Sequence, residues 1–133
     1  VKRLLVLLAA LLGITVLAAC GSSGSSGTVK TVDPQTFLAT AAQSGVILVD
    51  VRTPAEYSAG HIVGAINIDV EALSFSDAIA KLDKNATYAV YCHSGRRSGL
   101  ATDAMTKAGF THVFNLNGGI ADLQSAGGQA ITS

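Results

Sequence analysis

Between residues 91 and 98 the chain reads Tyr91-Cys92-His93-Ser94-Gly95-Arg96-Arg97-Ser98, and few local folds suit that order of residues. The run before it, Thr87 to Tyr91, is apolar and rich in β-formers, and the run after it, Gly99 to Ala108, reads as helix. Cys92 is therefore expected where a strand ends and a tight loop turns into a helix. In such a turn, successive backbone N–H groups aim inward as an anion-binding nest, and the positive end of the following helix adds to the field. Arg96 and Arg97 follow within five residues of the cysteine. A free cysteine titrates near ~8.5, and surroundings of this kind lower that to roughly 3.5–7.5, leaving a thiolate nucleophile at neutral pH. The competing reading is an inert buried cysteine packed as a small hydrophobe. The charged, glycine-containing loop argues against it.

From Thr28 the chain alternates strand-like and helix-like pieces. Thr28 to Val32 reads as a strand, and Asp33-Pro34 then supplies an N-cap with proline at the first helical position, opening a helix to about Gln43 that Gly45 closes. Val46-Ile47-Leu48-Val49 is a continuous apolar run of the kind buried on both faces of a parallel sheet, ending in Asp50-Val51-Arg52. Thr53-Pro54-Ala55-Glu56 reads as a capping box that starts a short helix, stopped by Gly60. Further strands are expected over Gly64 to Ile68, Thr87 to Tyr91 and His112 to Leu116, and helices over Ser76 to Leu82 and Gly99 to Ala108. This alternation predicts an α/β fold, one domain over residues 28–133, with a mostly parallel central sheet and helices on both faces. Its ligand crevice should lie at the carboxyl ends of the strands, where Cys92 falls.

The first residues carry a different message. Lys2 and Arg3 precede the apolar run Leu4 to Val16, and Leu17-Ala18-Ala19 brings small residues just ahead of Cys20, as in a secretory signal over residues 1–19. Sixteen residues from Leu4 to Ala19 are short of the about 20 that a membrane helix needs, and a Gly/Ser stretch follows rather than a basic flank, which disfavours an uncleaved anchor. Leu17-Ala18-Ala19-Cys20 resembles the lipobox of bacterial lipoproteins. That resemblance implies lipidation of Cys20, attachment to a membrane by the N-terminus and an extracytoplasmic location in the cell envelope or periplasm. Residues 20–27 would then be the lipidated cysteine and a flexible tether, its seven Gly and Ser residues having a reach of about 15 Å. With Cys20 capped, Cys92 would be the one remaining thiol, unusual in an oxidising compartment, where cysteines are mostly paired. Two cysteines exclude a thiolate zinc site or a CxxC redox pair, and neither a metal nor a cofactor is expected. Nine basic and nine acidic residues leave no basic stripe for nucleic acid.

Five blocks together resemble the rhodanese (sulfurtransferase) domain. They are Asp50-Val51-Arg52-Thr53-Pro54-Ala55-Glu56-Tyr57, Gly60-His61-Ile62, Gly64-Ala65-Ile66-Asn67-Ile68, Tyr91 to Ser98, and Asn115-Leu116-Asn117-Gly118-Gly119-Ile120, in the family's order and approximate spacing. The resemblance implies that Cys92 takes a sulfane sulfur from an anionic donor such as thiosulfate, holds it as a persulfide, and passes it to cyanide, a thiol or a thiol redox partner protein. It places Arg97 at the family's loop arginine, for loop structure and anion binding. Two positions depart from the pattern: Val63 stands where proline is usual, and Leu123 where an aromatic is.

The chemistry of the residues is consistent with those roles. Bringing an anionic donor to a thiolate in a partly desolvated pocket is costly unless cations and N–H dipoles offset the repulsion. Arg97 is read as an anion partner and Arg96 as a substrate contact nearer solvent, the alternative for each being a solvated surface arginine. Gly95 supplies a positive φ. Ser94 and Ser98 have hydroxyls for the sulfur or for capping, with capping assigned to Ser98. His93, inside the loop, is read either as a contact of the site or as a side chain that points outward. Asp50, Arg52 and Glu56 are expected to form a structural ion-pair network, and His61 to be a hydrogen-bonded structural histidine rather than a base or metal ligand.

Two other functions fit some of these features. A phosphatase or arsenate reductase brackets its oxyanion in a Cys-x5-Arg loop, but here Ser98 stands six after Cys92 and Arg97 one place early, giving a nest sized for a sulfur atom. A tethered persulfide carrier or sensor would need the same cysteine without turning over small molecules.

Overall fold

In chain order the elements are β1 (Thr28–Val32), α1 (Pro34–Ala41), β2 (Val46–Asp50), α2 (Pro54–Ala59), β3 (His61–Ile62), β4 (Ile66–Asn67), α3 (Phe75–Ala80), β5 (Thr87–Tyr91), α4 (Arg96–Lys107), β6 (His112–Leu116), α5 (Ile120–Ser125) and β7 (Ala130–Ile131). They come from a computed structural model that describes residues 27–132. The expected signal peptide, Cys20 and the expected tether up to residue 26 lie outside the described residues. Gly27, expected in the tether, already packs: a Cβ there would collide with the carbonyl oxygen of Phe110.

Five strands form one sheet in the order β1-β6-β5-β2-β4, every pair parallel. The strands bury alternate residues on its two faces, the period-2 geometry of a pleated strand. On β5, Tyr88, Val90 and then Cys92 enter one core with Val49 and Val51 of β2, Phe75 and Ile79 of α3, and Ala101 and Met105 of α4. Ala89 and Tyr91 enter the other, with Phe37 of α1, Leu48 of β2, Leu116 of β6, and Ile120 and Leu123 of α5. Covering both faces is what makes the β2 and β5 runs apolar without alternation. Full burial of a side chain such as Phe37 or Leu123 contributes about 1.5–3 kcal/mol. Leu123, at the position where the family pattern has an aromatic, thus fills core space, whereas Val63 is half exposed.

Element boundaries moved in instructive ways. The cysteine loop is shorter than expected, because Gly95 adopts a left-handed φ of 101° and hands the chain straight into α4 at Arg96, three residues before Gly99. Ser98, read as a cap, is consequently inside the first turn, and Gly95 holds the N-cap position. The strand expected over Gly64 to Ile68 contracts to Ile66–Asn67, and the Asn67 side chain donates to the carbonyls of Asp50 and Arg52 at 3.0 and 2.8 Å. α1 stops at Ala41, short of Gln43. β3 and β7 pair antiparallel as a two-stranded ribbon outside the main sheet. Two-residue strands leave no periodicity for a sequence reading to detect.

Candidate active site

Cys92 directly follows β5 at the carboxyl edge of the sheet and is completely buried. The Gly95 N–H donates to Sγ at 3.0 Å, and Ser98 Oγ lies 3.5 Å from it. In the thiol form Sγ–H points to Ser98 Oγ, whose own proton goes to the Gly95 carbonyl at 3.1 Å; in the thiolate form that one hydroxyl proton turns to Sγ instead. Burial pushes the thiol up, but hydrogen bonds from the hydroxyl and N–H of Ser98 and from the N–H groups of Gly95 and Ser94 outweigh it, so Cys92 titrates below the ordinary thiol range. The nest is made by backbone donors and one hydroxyl. Of the other loop residues, His93, Ser94 and Arg96 are exposed.

Arg97 sits differently from its expected place as an anion partner. Its guanidinium forms a bidentate pair with Glu56 of α2, at 2.7 and 2.8 Å, and lies 3.5 Å from Glu71. A planar fork matches a carboxylate in this way and is then unavailable to a donor anion. The residue therefore pins the first turn of α4 to α2. Hydrogen bonding to Glu56 raises the Arg97 pKa, and the same bond, against some desolvation, holds the Glu56 carboxyl down at about 2.

Glu56 also completes the capping box expected with Thr53, accepting from the Thr53 N–H at 3.1 Å while Thr53 Oγ1 accepts from the Glu56 N–H. Because its folded pKa is depressed from 4.5, its stabilising contribution is full above the unfolded value and lost as pH falls through the folded one. The melting-temperature difference between wild type and Glu56→Gln should be constant above about pH 5 and shrink from there toward pH 2. Thermal melts across that window check it, and a pH-independent difference would contradict the pairing.

The expected network of Asp50, Arg52 and Glu56 is split in two. Asp50 and Arg52, both buried, pair with each other, Arg52 Nη2 reaching Asp50 Oδ2 at 2.6 Å and the Gly60 carbonyl at 2.6 Å. Tyr91 donates its hydroxyl to Asp50 at 2.9 Å and accepts from the Ile62 N–H at 3.0 Å, and burial raises its pKa. Glu56 serves Arg97 instead, because α2 turns its first turn toward α4. His61 Nδ1 donates to the Tyr57 carbonyl at 2.9 Å, and the ring stacks on Tyr57 with centroids 3.6 Å apart.

Gly118 and Gly119 carry a role that the residue-by-residue reading missed. The segment backs the cysteine loop so closely that a Cβ on Gly119 would collide with the His93 carbonyl oxygen, and one on Gly95 would lie 3.2 Å from the Gly118 oxygen. The Ile120 N–H then donates to the Cys92 carbonyl at 3.0 Å. The paired glycines were the available signal, since adjacent glycines after a strand mark close backbone approach. Beside the loop runs a groove of about 440 Å³, walled by the end of α2, by His93 and by α5.

Comparison with known proteins agrees with this geometry. The profile of the rhodanese-like domain matches residues 33–126. Thiosulfate sulfurtransferase PspE of Escherichia coli K12 is 44% identical over 75 residues, 56% of this chain and 71% of that protein. Thiosulfate sulfurtransferase GlpE of Pseudomonas entomophila is 37% identical over 90 residues, 68% of this chain and 80% of that protein. Among solved structures, the Alr3790 protein from Anabaena superposes with a TM-score of 0.69 at 27% identity, covering 77% of this chain and 82% of that one. A structure of E. coli rhodanese with anions superposes with a TM-score of 0.55 at 38% identity, covering 66% and 99%. A buried low-pKa cysteine at a strand-to-helix loop and a profile match over most of the folded region thus converge: the chain belongs to the rhodanese-like domain family, as a sulfurtransferase of the rhodanese type.

Proposed function

We propose that the protein moves sulfane sulfur from a thiosulfate-like donor to cyanide or a thiol through a persulfide on Cys92. The carrying observation is the thiol ringed by N–H donors and the Ser98 hydroxyl, which favour its anion over the neutral form. The Cys92 thiolate attacks the outer sulfur of thiosulfate, a new S–S bond forms, and the S–S bond of the donor breaks with its electron pair leaving on sulfite. The acceptor nucleophile then takes the outer sulfur, returning the electron pair to Sγ as thiolate. The sulfur-bearing anion is held by the same N–H donors, and Arg96, exposed in the same loop, is a cation placed to guide it in. A phosphatase reading is disfavoured by Arg97, whose fork faces Glu56 rather than the nest.

Incubation with thiosulfate should add the mass of one sulfur atom to the protein, and cyanide should remove it as thiocyanate over many cycles. Loading rate should rise with pH through a midpoint below that of an ordinary thiol. No added sulfur would overturn the reading. Loading with a single turnover only would favour the tethered carrier or sensor.

The envelope location, resting on Leu17-Ala18-Ala19-Cys20, is proposed on the sequence alone. Fatty-acid labelling should depend on Cys20 and the mature chain should begin there. Labelling that persists in Cys20→Ala, or another mature N-terminus, would refute it.

A further inference from the structure

The parallel sheet has two unlike ends. Because β1, β2, β5 and β6 all run the same way, their first residues share one edge, and the helices α1, α3 and α4 that return the chain between strands end at that edge too. The cysteine loop occupies the opposite edge. Lys30, Lys81, Lys84 and Lys107 lie toward the amino edge with Asp77, Asp83 and Asp103. Arg52, Arg96 and Arg97 lie at the carboxyl edge with Asp33, Asp50, Glu56, Asp69, Glu71 and Asp122. Among the described residues every lysine is thus toward one end and every arginine at the other, and the arginine end carries the excess of acid.

The lysines surround the point where the chain enters the domain. Gly27 packs against the Phe110 carbonyl and Thr111, just before β6, and a Cβ on neighbouring Gly109 would lie 3.7 Å from Lys84 Cδ. Lys107 is the last residue of α4, two before Gly109. Lys30 reaches over the Phe114 ring, 5.7 Å from its centroid, in a hollow lined also by Thr28, Thr111 and His112. All four lysines are exposed. A cation at the end of a helix suits the helix dipole, which accounts for Lys81 and Lys107, but Lys30 and Lys84 lie outside the helices. Of the acids nearby, Asp103 is 3.6 Å from Lys107, and Asp83 accepts the Asn85 N–H at 2.9 Å.

We propose that the lysine-bearing amino edge rests on an anionic lipid surface, so that the cysteine loop faces the aqueous phase. The inference rests on the envelope reading, in which Cys20 holds the chain to a membrane. A five-residue strand spans about 16 Å, close to the reach of about 15 Å of the expected tether, so the tether alone favours this orientation without fixing it. Charge supplies the rest. Anionic headgroups attract the lysines and repel the acidic carboxyl edge, over a Debye length of about 10 Å at 0.1 M salt. Small anionic donors then meet Cys92 from solution rather than through the headgroup layer.

The chain has no tryptophan, so a single introduced indole reports its own surroundings. Asn85→Trp marks the amino edge and Leu73→Trp, between β4 and α3, the carboxyl edge, both at exposed positions. The mature acylated protein is added to preformed vesicles of phosphatidylcholine, alone or with about 30% phosphatidylglycerol, that contain a lipid spin-labelled at its headgroup. In the anionic vesicles Asn85→Trp should be quenched at least about twofold more than Leu73→Trp. That difference should fall by about half or more in neutral vesicles, at about 0.5 M salt, or when Lys84→Gln and Lys107→Gln are added together. Far-UV circular dichroism confirms the fold of each variant. Equal quenching of the two probes, or a difference that survives both neutral lipid and the lysine substitutions, would overturn the contact. A mature chain without acyl mass would strike the envelope reading and this inference with it, whereas an acylated chain with equally quenched probes strikes this inference alone.

Discussion

Cys92→Ser is expected to abolish sulfur transfer while leaving the fold in place. The exchange removes one polarisable atom and restores a slightly smaller oxygen in the same rotamer. That oxygen can still accept the Gly95 N–H, which lies 3.0 Å from Sγ, and still lies within reach of the Ser98 hydroxyl. No buried donor loses its partner, so the change in stability should stay near 1 kcal/mol. The chemistry does not survive, because the alcohol does not ionise near neutral pH and its oxygen forms no persulfide. Thiosulfate loading by intact mass and thiocyanate production should both fall to background, with far-UV circular dichroism and the melting temperature near wild type. Retained turnover in the purified variant would remove Cys92 from the mechanism. Loss of fold would mean that the thiol contributes more packing in the α4-side core than its size suggests.

The loop that carries this prediction was legible in the sequence because its signals agree at every level. Thr87 to Tyr91 is β-rich and apolar, Gly95 permits the turn, and the helical run follows, so strand, loop and helix fall in one order. The parallel sheet and its two helical layers followed from the same alternation. What the sequence left hidden were choices of partner among charged residues. Glu56 is near Arg52 in the chain, yet it pairs with Arg97, 41 residues away, because both sit on helices whose first turns meet at the carboxyl edge of the sheet. Linear spacing carries no information about that meeting. Gly118-Gly119 signalled a close backbone approach, but its partner, the His93 carbonyl, belongs to a different loop that linear spacing does not name. Ser98 was misplaced as a cap by one local decision, the left-handed turn at Gly95, which started α4 a turn early. Short β3 and β7 exist through tertiary pairing rather than through propensity, and neither has residues enough to signal itself.

Asp50→Ala should be the most destabilising single change near the site. Arg52 is 5% exposed, and its Nε and Nη2 atoms make three contacts to the Asp50 carboxylate at 2.6–3.1 Å. Removing the carboxylate leaves a buried guanidinium whose remaining side-chain partner is the Gly60 carbonyl, and a Tyr91 hydroxyl that loses its acceptor. Breaking one side of a buried pair costs about 3–5 kcal/mol. A domain of this kind has about 5–15 kcal/mol in total, so the variant should unfold at much lower urea, close to the assay conditions. The buried pair need not itself be favourable compared with apolar packing, and that gives a sharper test than the single variant. Asp50→Ala combined with Arg52→Leu removes the orphaned charge and should recover part of the loss, because the desolvation cost disappears with it. Sulfur transfer should follow stability in both, with one exception. β2 ends at Asp50, and α2 starts four residues later with Glu56 in its first turn, so loosening this exit loosens the Glu56 anchor on Arg97 and with it the first turn of α4. Even where the double variant is folded, its transfer rate should therefore lag its recovered stability. Urea denaturation and thiocyanate assays on the same samples separate the two effects. A loss below about 1 kcal/mol in Asp50→Ala, or a double variant no better than the single one, would show that the Arg52 charge finds water in place of Asp50 and is not the buried group described here.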